Sequence, residues 1–303
     1  MAARYLRFQL GAAAVGTADG RSRAPLLERL LARADDEGAV LDWRADAFRI
    51  IAPHTPLPSV AAVAYRAAGG PRVQGSVYIA TPVHYLAELS NVRLADEGIL
   101  TLDAAQAESL ALDFNRDWRD SGVDLWAASG RLFCGFDSPL DATTSDPERV
   151  RGQHLEEFLP AGADGGRLRR LMSEIEMWLF DHAVNRGRRQ RAELPLSALW
   201  LWGGGAAISV LPAAQGSGAG DVLFDAYPPE PGRCADIMVV SAIPNAPEWR
   251  EMEAAWLKPT LAELARGRLD RLELSADERR YVISARWRRR FWRRAQPWWE
   301  YFE

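Results

Sequence analysis

The sequence predicts an α/β protein: a mixed sheet flanked by helices, with a smaller α+β subdomain inserted. Three observations predict it. Stretches with apolar residues at helical spacing alternate with short apolar runs along the chain, the order that builds α/β layers. Between about 76 and 160 the short runs follow one another closely, which suits an antiparallel subdomain. Residues 199–205, Leu-Trp-Leu-Trp-Gly-Gly-Gly, read as a buried strand entering a glycine turn, the place where open α/β sheets hold ligands. The expected layout is 1–75 as the N-terminal α/β segment of a main domain, 76–160 as the subdomain, and 161–303 as the C-terminal α/β segment.

Taken in order, residues 4–10 alternate polar and apolar and suit a half-buried strand. Pro25 opens a helix whose leucines recur at helical spacing. Residues 50–75 are rich in Ala, Pro and Gly and predict short helix and loop. A strand over Gly75–Ala80 runs on towards His84, and residues 91–102 suggest a hairpin turning at Asp96-Glu97-Gly98. Asp103 caps a helix to about Trp118. Strands follow near Leu125–Ala127 and Leu132–Phe136, then a polar loop. A helix is expected over Glu148–Leu159, and a longer one from Arg167 to about Arg186 with an apolar stripe that His182 continues. Strands are expected at Val222–Ala226 and Ile237–Ser241, and a helix over Glu248–Arg266 with Pro259 as a source of kinking. A final hairpin, Leu269–Leu274 with Tyr281–Ala285, leads into an Arg- and Trp-rich tail.

Composition removes several function classes. A formal net charge of −4 argues against a wholly basic nucleic-acid binder. Two cysteines, Cys134 and Cys234, and four scattered histidines argue against a dedicated zinc or catalytic metal site. The expectation is therefore no metal and no cofactor. No secretory signal and no run of about 18 apolar residues is visible, so a cytoplasmic protein without a membrane span is expected. A Gly-x-Ser-x-Gly elbow is missing, which argues against an α/β-hydrolase.

Three groups of residues carry candidate chemistry. Asp181, His182 and Asn185 sit near the end of the long helix, where Glu174, Asp181 and Asn185 would share a face and His182 with a carboxylate would form an acid/base pair. A histidine ending an apolar stripe, with Asp181 solvated or paired to Arg186 or Arg188, accounts for the same residues. His84 follows Pro82 at a strand end, and Trp202, Gly203, Gly204 and Gly205 would offer backbone amides to an anion. The third group is the tail, Arg286, Trp287, Arg289, Arg290, Trp292 and Arg293, with six arginines in nine residues. It suits phosphates and stacked bases, or an anionic membrane surface; the favoured reading is a terminal helix docked by Trp287 and Phe291 at i,i+4, with its arginines in water or on surface carboxylates.

Several blocks in order along the chain carry a resemblance. They are Pro25–Ala34, Pro82-Val83-His84, Arg151–Pro160, Asp181-His182-x-Val184-Asn185, Leu199–Gly205, and the end from Trp256 to Arg294. The set resembles the regulator of pathogenicity factors type E (RpfE-type) proteins of proteobacteria. The middle, about 76–205, is also similar to cofactor-independent, archaeal-type phosphoglycerate mutases of the alkaline-phosphatase superfamily, in which a related Trp-Gly segment follows a His-x-Val-Asn helix end. This chain has Ala183 where that family usually has proline and Gly204 where glutamine is common. The family's two-metal Asp/His set and its serine nucleophile segment find no counterpart. The resemblance thus implies a phosphoglycerate-mutase-like scaffold that has lost its chemistry. The expectation is a non-catalytic regulatory protein that binds a small anionic metabolite or a protein partner. The alternatives are a metal-dependent phosphomutase or phosphohydrolase with rearranged ligands, and a nucleic-acid binder acting through the tail.

Overall fold

The computed structural model describes residues 2–8, 22–40, 42–89, 91–128, 130–240, 245–276 and 279–301. The chain begins with β1 (Ala3–Phe8), α1 (Pro25–Arg33), β2 (Asp35–Ala39), α2 (Trp43–Ile51) and α3 (Val60–Ala67). It continues with β3 (Ser76–Ala87), β4 (Val92–Ile99), α4 (Ala104–Asp117), β5 (Val123–Ala128), β6 (Arg131–Phe136) and the short α5 (Pro147–Val150). Then come α6 (Gly165–Phe180), α7 (Ala183–Gln190), β7 (Ala198–Ala206), β8 (Gly218–Ala219) and β9 (Ile237–Val240). The last elements are α8 (Ala246–Met252), a π-helical turn (Glu253–Leu257), α9 (Lys258–Ala265), β10 (Arg271–Ala276) and β11 (Arg279–Ser284). The chain is therefore mixed α/β, as its alternating pattern predicts.

It divides into two compact units, Met1–Leu57 with Pro212–Glu303, and Pro58–Leu211. The first carries a six-stranded mixed sheet in the order β2-β11-β10-β1-β9-β8. Strands β10, β1, β9 and β8 are parallel, and β11 and β2 extend one edge antiparallel. Leu6 and Phe8 of β1 meet the leucines of α1 and the rings of Trp249, Trp256 and Trp298 in one core. The Trp249 and Trp298 rings lie 5.4 Å apart, and Phe8 is 5.6 Å from Trp249. Burying 150–250 Å² of such a ring contributes about 4–6 kcal/mol of transfer free energy, so the tryptophans anchor this core.

The second unit is built on β3. This strand pairs antiparallel with β7 over 76–83, with β6 over 77–79 and with β4 over 83–87. β5 extends the sheet beyond β6. Because β7 is zipped to β3, the unit takes in α3 before residue 76 and α6, α7 and β7 after 160, and so spans more of the chain than 76–160.

Local expectations hold where a side chain sets the boundary. Pro25 stands in the first turn of α1, and Asp103 and Gln106 form a reciprocal capping box on α4. The final hairpin is β10 with β11. Other expectations are corrected by tertiary pairing. Residues 91–102 are no hairpin: β4 is one strand, and Asp96-Glu97-Gly98 belongs to a bulge, four residues lying between Leu94 and Ile99 opposite His84 alone. The helix expected over Glu148–Leu159 stops at Val150. Gly152 takes a φ of +72°, and the backbone of 152–155 bonds instead to β4, with Gly152 N–H on Leu94 O at 2.9 Å and Leu155 N–H on Val92 O at 3.0 Å. Residues 222–226 are no strand but end in a 3-10 turn, Phe224–Ala226. The helix from Glu248 is split by the π-helical turn ahead of Pro259, which has no N–H for Ala255 O. The Cys234 thiol donates to that carbonyl at 3.2 Å. Gln9, Leu10 and Ser241 lie outside the described residues. Among those described, no helix is long and apolar enough to cross a membrane.

Candidate functional site

The helix expected from Arg167 to Arg186 breaks at Asp181-His182, and this break organises the site in the second unit. Asp181 closes α6 and His182 is the N-cap of α7, with its Nδ1 accepting from the Val184 N–H at 3.2 Å. Nδ1 can accept only if it is unprotonated, so the ring proton is on Nε2, which donates to Asp113 Oδ2 at 3.2 Å. The His182 side chain is 8% exposed and lies 4.4 Å from the Trp178 ring. Burial lowers its pKa, and the neighbouring Asp113 carboxylate opposes that shift without overcoming it. Both ring nitrogens are engaged, so the ring has no free nitrogen to take a proton from a substrate.

Asn185, 1% exposed, is saturated. Its amide donates to Leu179 O at 2.7 Å and Leu196 O at 2.8 Å, and its Oδ1 accepts from Leu196 N–H at 2.7 Å. One side chain thus ties the end of α6 to the chain entering β7. The common face expected for Glu174, Asp181 and Asn185 does not form, because the helix does not continue through Asp181. Glu174 pairs with Arg170 at 2.9 Å, and Asp181 is exposed, its carbonyl accepting from Arg186.

His84 holds the same entering segment from β3. Its Nδ1–H donates to Pro195 O at 2.9 Å, with Ser197 Oγ at 3.4 Å. In the neutral ring this hydrogen bond selects the Nδ1–H tautomer, and Nε2 has no partner among the described residues. His84 and Asn185 therefore converge on residues 195–197, while His182 faces Asp113 of α4.

The Trp-Gly stretch is a buried strand, as expected, but its glycines lie inside β7 and not in a turn beyond it. Trp200 Nε1 donates to Ser145 O and Trp202 Nε1 to Thr81 Oγ1, each at 2.8 Å. Gly203 takes a φ of +65° where the register with β3 shifts, and its N–H donates to Thr144 Oγ1 at 3.2 Å. A Cβ on Gly204 would fall 1.9 Å from Tyr78 Cε1, and one on Gly205 would fall 2.7 Å from Ser59 Cβ. The glycines admit the Tyr78 ring and the start of α3, a close approach that only glycine permits. Burial pushes the Tyr78 phenol up to about 12.

In the first unit the tail is docked. Trp287 is buried with Arg33 stacked over its ring at 5.4 Å. Arg290 reaches Asp35 at 2.6 Å and Arg33 O at 3.0 Å, and Arg293 reaches Ala34 O at 3.0 Å, so both neutralise the C-terminal end of α1. Arg286, Arg289, Phe291 and Trp292 are exposed: the tail forms a 3-10 turn over Trp287–Arg290, so Phe291 does not share a helical face with Trp287 and takes no part in the docking.

Sequence reasoning missed Asp113, Thr144 and Tyr78. Asp113 precedes the buried Phe114 on α4 and lies 69 positions from His182, and no periodicity joins them. Among the described residues no three His, Cys, Asp or Glu side chains gather as metal ligands would.

No family model matches the chain. Over 65 residues, 22% of this chain, it is 35% identical to a probable 2,3-bisphosphoglycerate-independent phosphoglycerate mutase of Geobacter sulfurreducens, covering 16% of that protein. Over 123 residues, 40% of this chain, it is 24% identical to the 2,3-bisphosphoglycerate-independent phosphoglycerate mutase of Methanosarcina acetivorans, covering 31% of it. Each of these matches thus spans less than a third of the relative's own length. The cofactor-independent phosphoglycerate mutase from Thermoplasma acidophilum aligns over 94% of this chain and 90% of its own at 14% identity and a TM-score of 0.37. The chain is, over part of its length, distantly similar in sequence to the cofactor-independent phosphoglycerate mutases.

Proposed function

We propose that this chain is a non-catalytic regulatory or binding protein of the RpfE type, derived from a phosphoglycerate-mutase-like ancestor. One observation carries the reading. In the Asp-His-x-Val-Asn segment, His182 and Asn185 have every strong polar atom committed to helix capping and chain tethering. Residues so committed act as structural fasteners, which supports a non-catalytic reading of this segment. A small phosphorylated metabolite or a protein partner is the expected ligand class.

A second reading, a metal-dependent phosphomutase or phosphohydrolase, is favoured by His84 alone. Its anchored Nδ1 and unpartnered Nε2 are the arrangement of a ligating or basic histidine. Mutase and phosphatase assays with Mn²⁺, Co²⁺ or Mg²⁺ added to stripped protein separate the two. The binding reading expects no turnover with any metal, in the wild type and in His84→Gln alike. Metal-dependent turnover abolished by His84→Gln, in a protein that keeps its melting temperature, would overturn it.

A further inference from the structure

The first unit carries an open surface cavity of about 740 Å³, with Arg29, Lys258 and Arg288 exposed on its wall, that the reading above does not use. Its wall includes Arg29, Arg33, Lys258 and Arg288, with Glu253 and Trp287 beside them. Four cations face one carboxylate, in a protein whose formal net charge is −4. That carboxylate is already occupied: Glu253 Oε1 accepts from the Leu26 N–H at 2.8 Å and the Leu27 N–H at 3.3 Å, at the start of α1. Among the described residues, no carboxylate pairs with Arg29, Lys258 or Arg288. Arg33 Nε is buried without a hydrogen-bond partner.

The backbone brings these groups together. Lys258 is the only lysine in the chain. In an α-helix, residues five apart point about 140° away from each other. The π-helical turn removes that divergence: the Lys258 N–H donates to Glu253 O, so residues 253 and 258 stack on one face and line the same cavity. Docking of Trp287 then places Arg288 and the stacked Arg33 on the wall. Pro25, Leu26, Leu261 and Ala262 supply an apolar side.

We propose that this cavity binds a small organic phosphate of nucleotide size. Guanidinium forks match phosphoryl oxygens in pairs, the ammonium adds a point charge, and the apolar side seats the organic body. The volume falls in the range of small-molecule sites, roughly 300–1,000 Å³. The site stands whether or not the chain is catalytic, because it shares no residue with the His84, His182 and Asn185 cluster.

Isothermal titration of the full chain with ATP and with tripolyphosphate tests it. Lys258→Ala and Arg29→Ala remove exposed side chains, and Arg170→Ala serves as a surface control. The expected result is saturable ATP binding, tighter than that of tripolyphosphate, weakened about 10- to 100-fold by each cavity variant and unchanged in the control. Absence of saturable ATP binding would overturn the proposal, as would binding that survives both cavity variants. Tripolyphosphate binding as tightly as ATP would also overturn it, because the apolar side would then seat no organic body.

Discussion

Replacing Asn185 by alanine distinguishes a structural fastener from a ligand-binding residue. The substitution deletes three hydrogen bonds of 2.7–2.8 Å and leaves Leu196 O and Leu196 N–H without a partner, while Leu179 O keeps the His182 N–H at 3.1 Å. Each net bond is worth about 0.5–1.5 kcal/mol, and each buried group left unsatisfied costs about 1–3 kcal/mol. Partial relaxation of the segment around Leu196 offsets part of this, so a loss of about 3–5 kcal/mol is expected. For a cooperative unit of 150–250 residues that is a fall of roughly 6–20 °C in melting temperature. Asn185→Asp is as damaging, because a carboxylate keeps the bond from Leu196 N–H but faces two carbonyl oxygens with no proton to donate. Urea unfolding followed by tryptophan fluorescence, with differential scanning calorimetry, measures both. An Asn185→Ala protein that melts within about 2 °C of wild type would refute the reasoning and return Asn185 to the candidates for ligand binding.

His182→Asn keeps a capping oxygen but loses the bond to Asp113 and the ring contact with Trp178, so it is expected to be less stable than wild type yet about 1 kcal/mol more stable than His182→Ala, which loses the cap as well. Because the folded state lowers the pKa of His182, the unfolded chain binds its proton more readily, so this residue makes stability fall as pH drops below the ordinary value of 6.5. Asparagine removes that component, and equal pH slopes in wild type and His182→Asn between pH 7 and about 5 would contradict it. Gly204→Ala drives a methyl into the Tyr78 ring and is expected to cost about 3 kcal/mol, part of which Tyr78→Leu restores; chemical denaturation of the single and double variants reads the coupling. Burial raises the pKa of the Cys134 thiol, while Cys234 is partly accessible, so a thiol reagent at pH 8 should modify one cysteine in the native protein and two in urea.

The sequence by itself determined the elements whose limits are written in local chemistry. Pro25, the Asp103–Gln106 box, the apolar run 198–202 and the closing hairpin each set a boundary through a proline, a cap or a short-range period, and these hold. It also pointed to His84, His182, Asn185 and the glycines as positions that matter. Only the tertiary structure decided what each of them does. Whether His182 continues a helix or caps the next one depends on a kink, and its partner Asp113 lies far away in sequence. Whether three glycines make a turn or a bulge depends on the Tyr78 ring, which belongs to the neighbouring strand. The cluster of Arg29, Arg33, Lys258 and Arg288 joins segments more than 200 residues apart, held by the docking of Trp287 and the π-helical turn. Local spacing carries information about a residue's own few neighbours. Long-range hydrogen bonds and buried rings are chosen by the packing of the whole unit, where their free energy is gained.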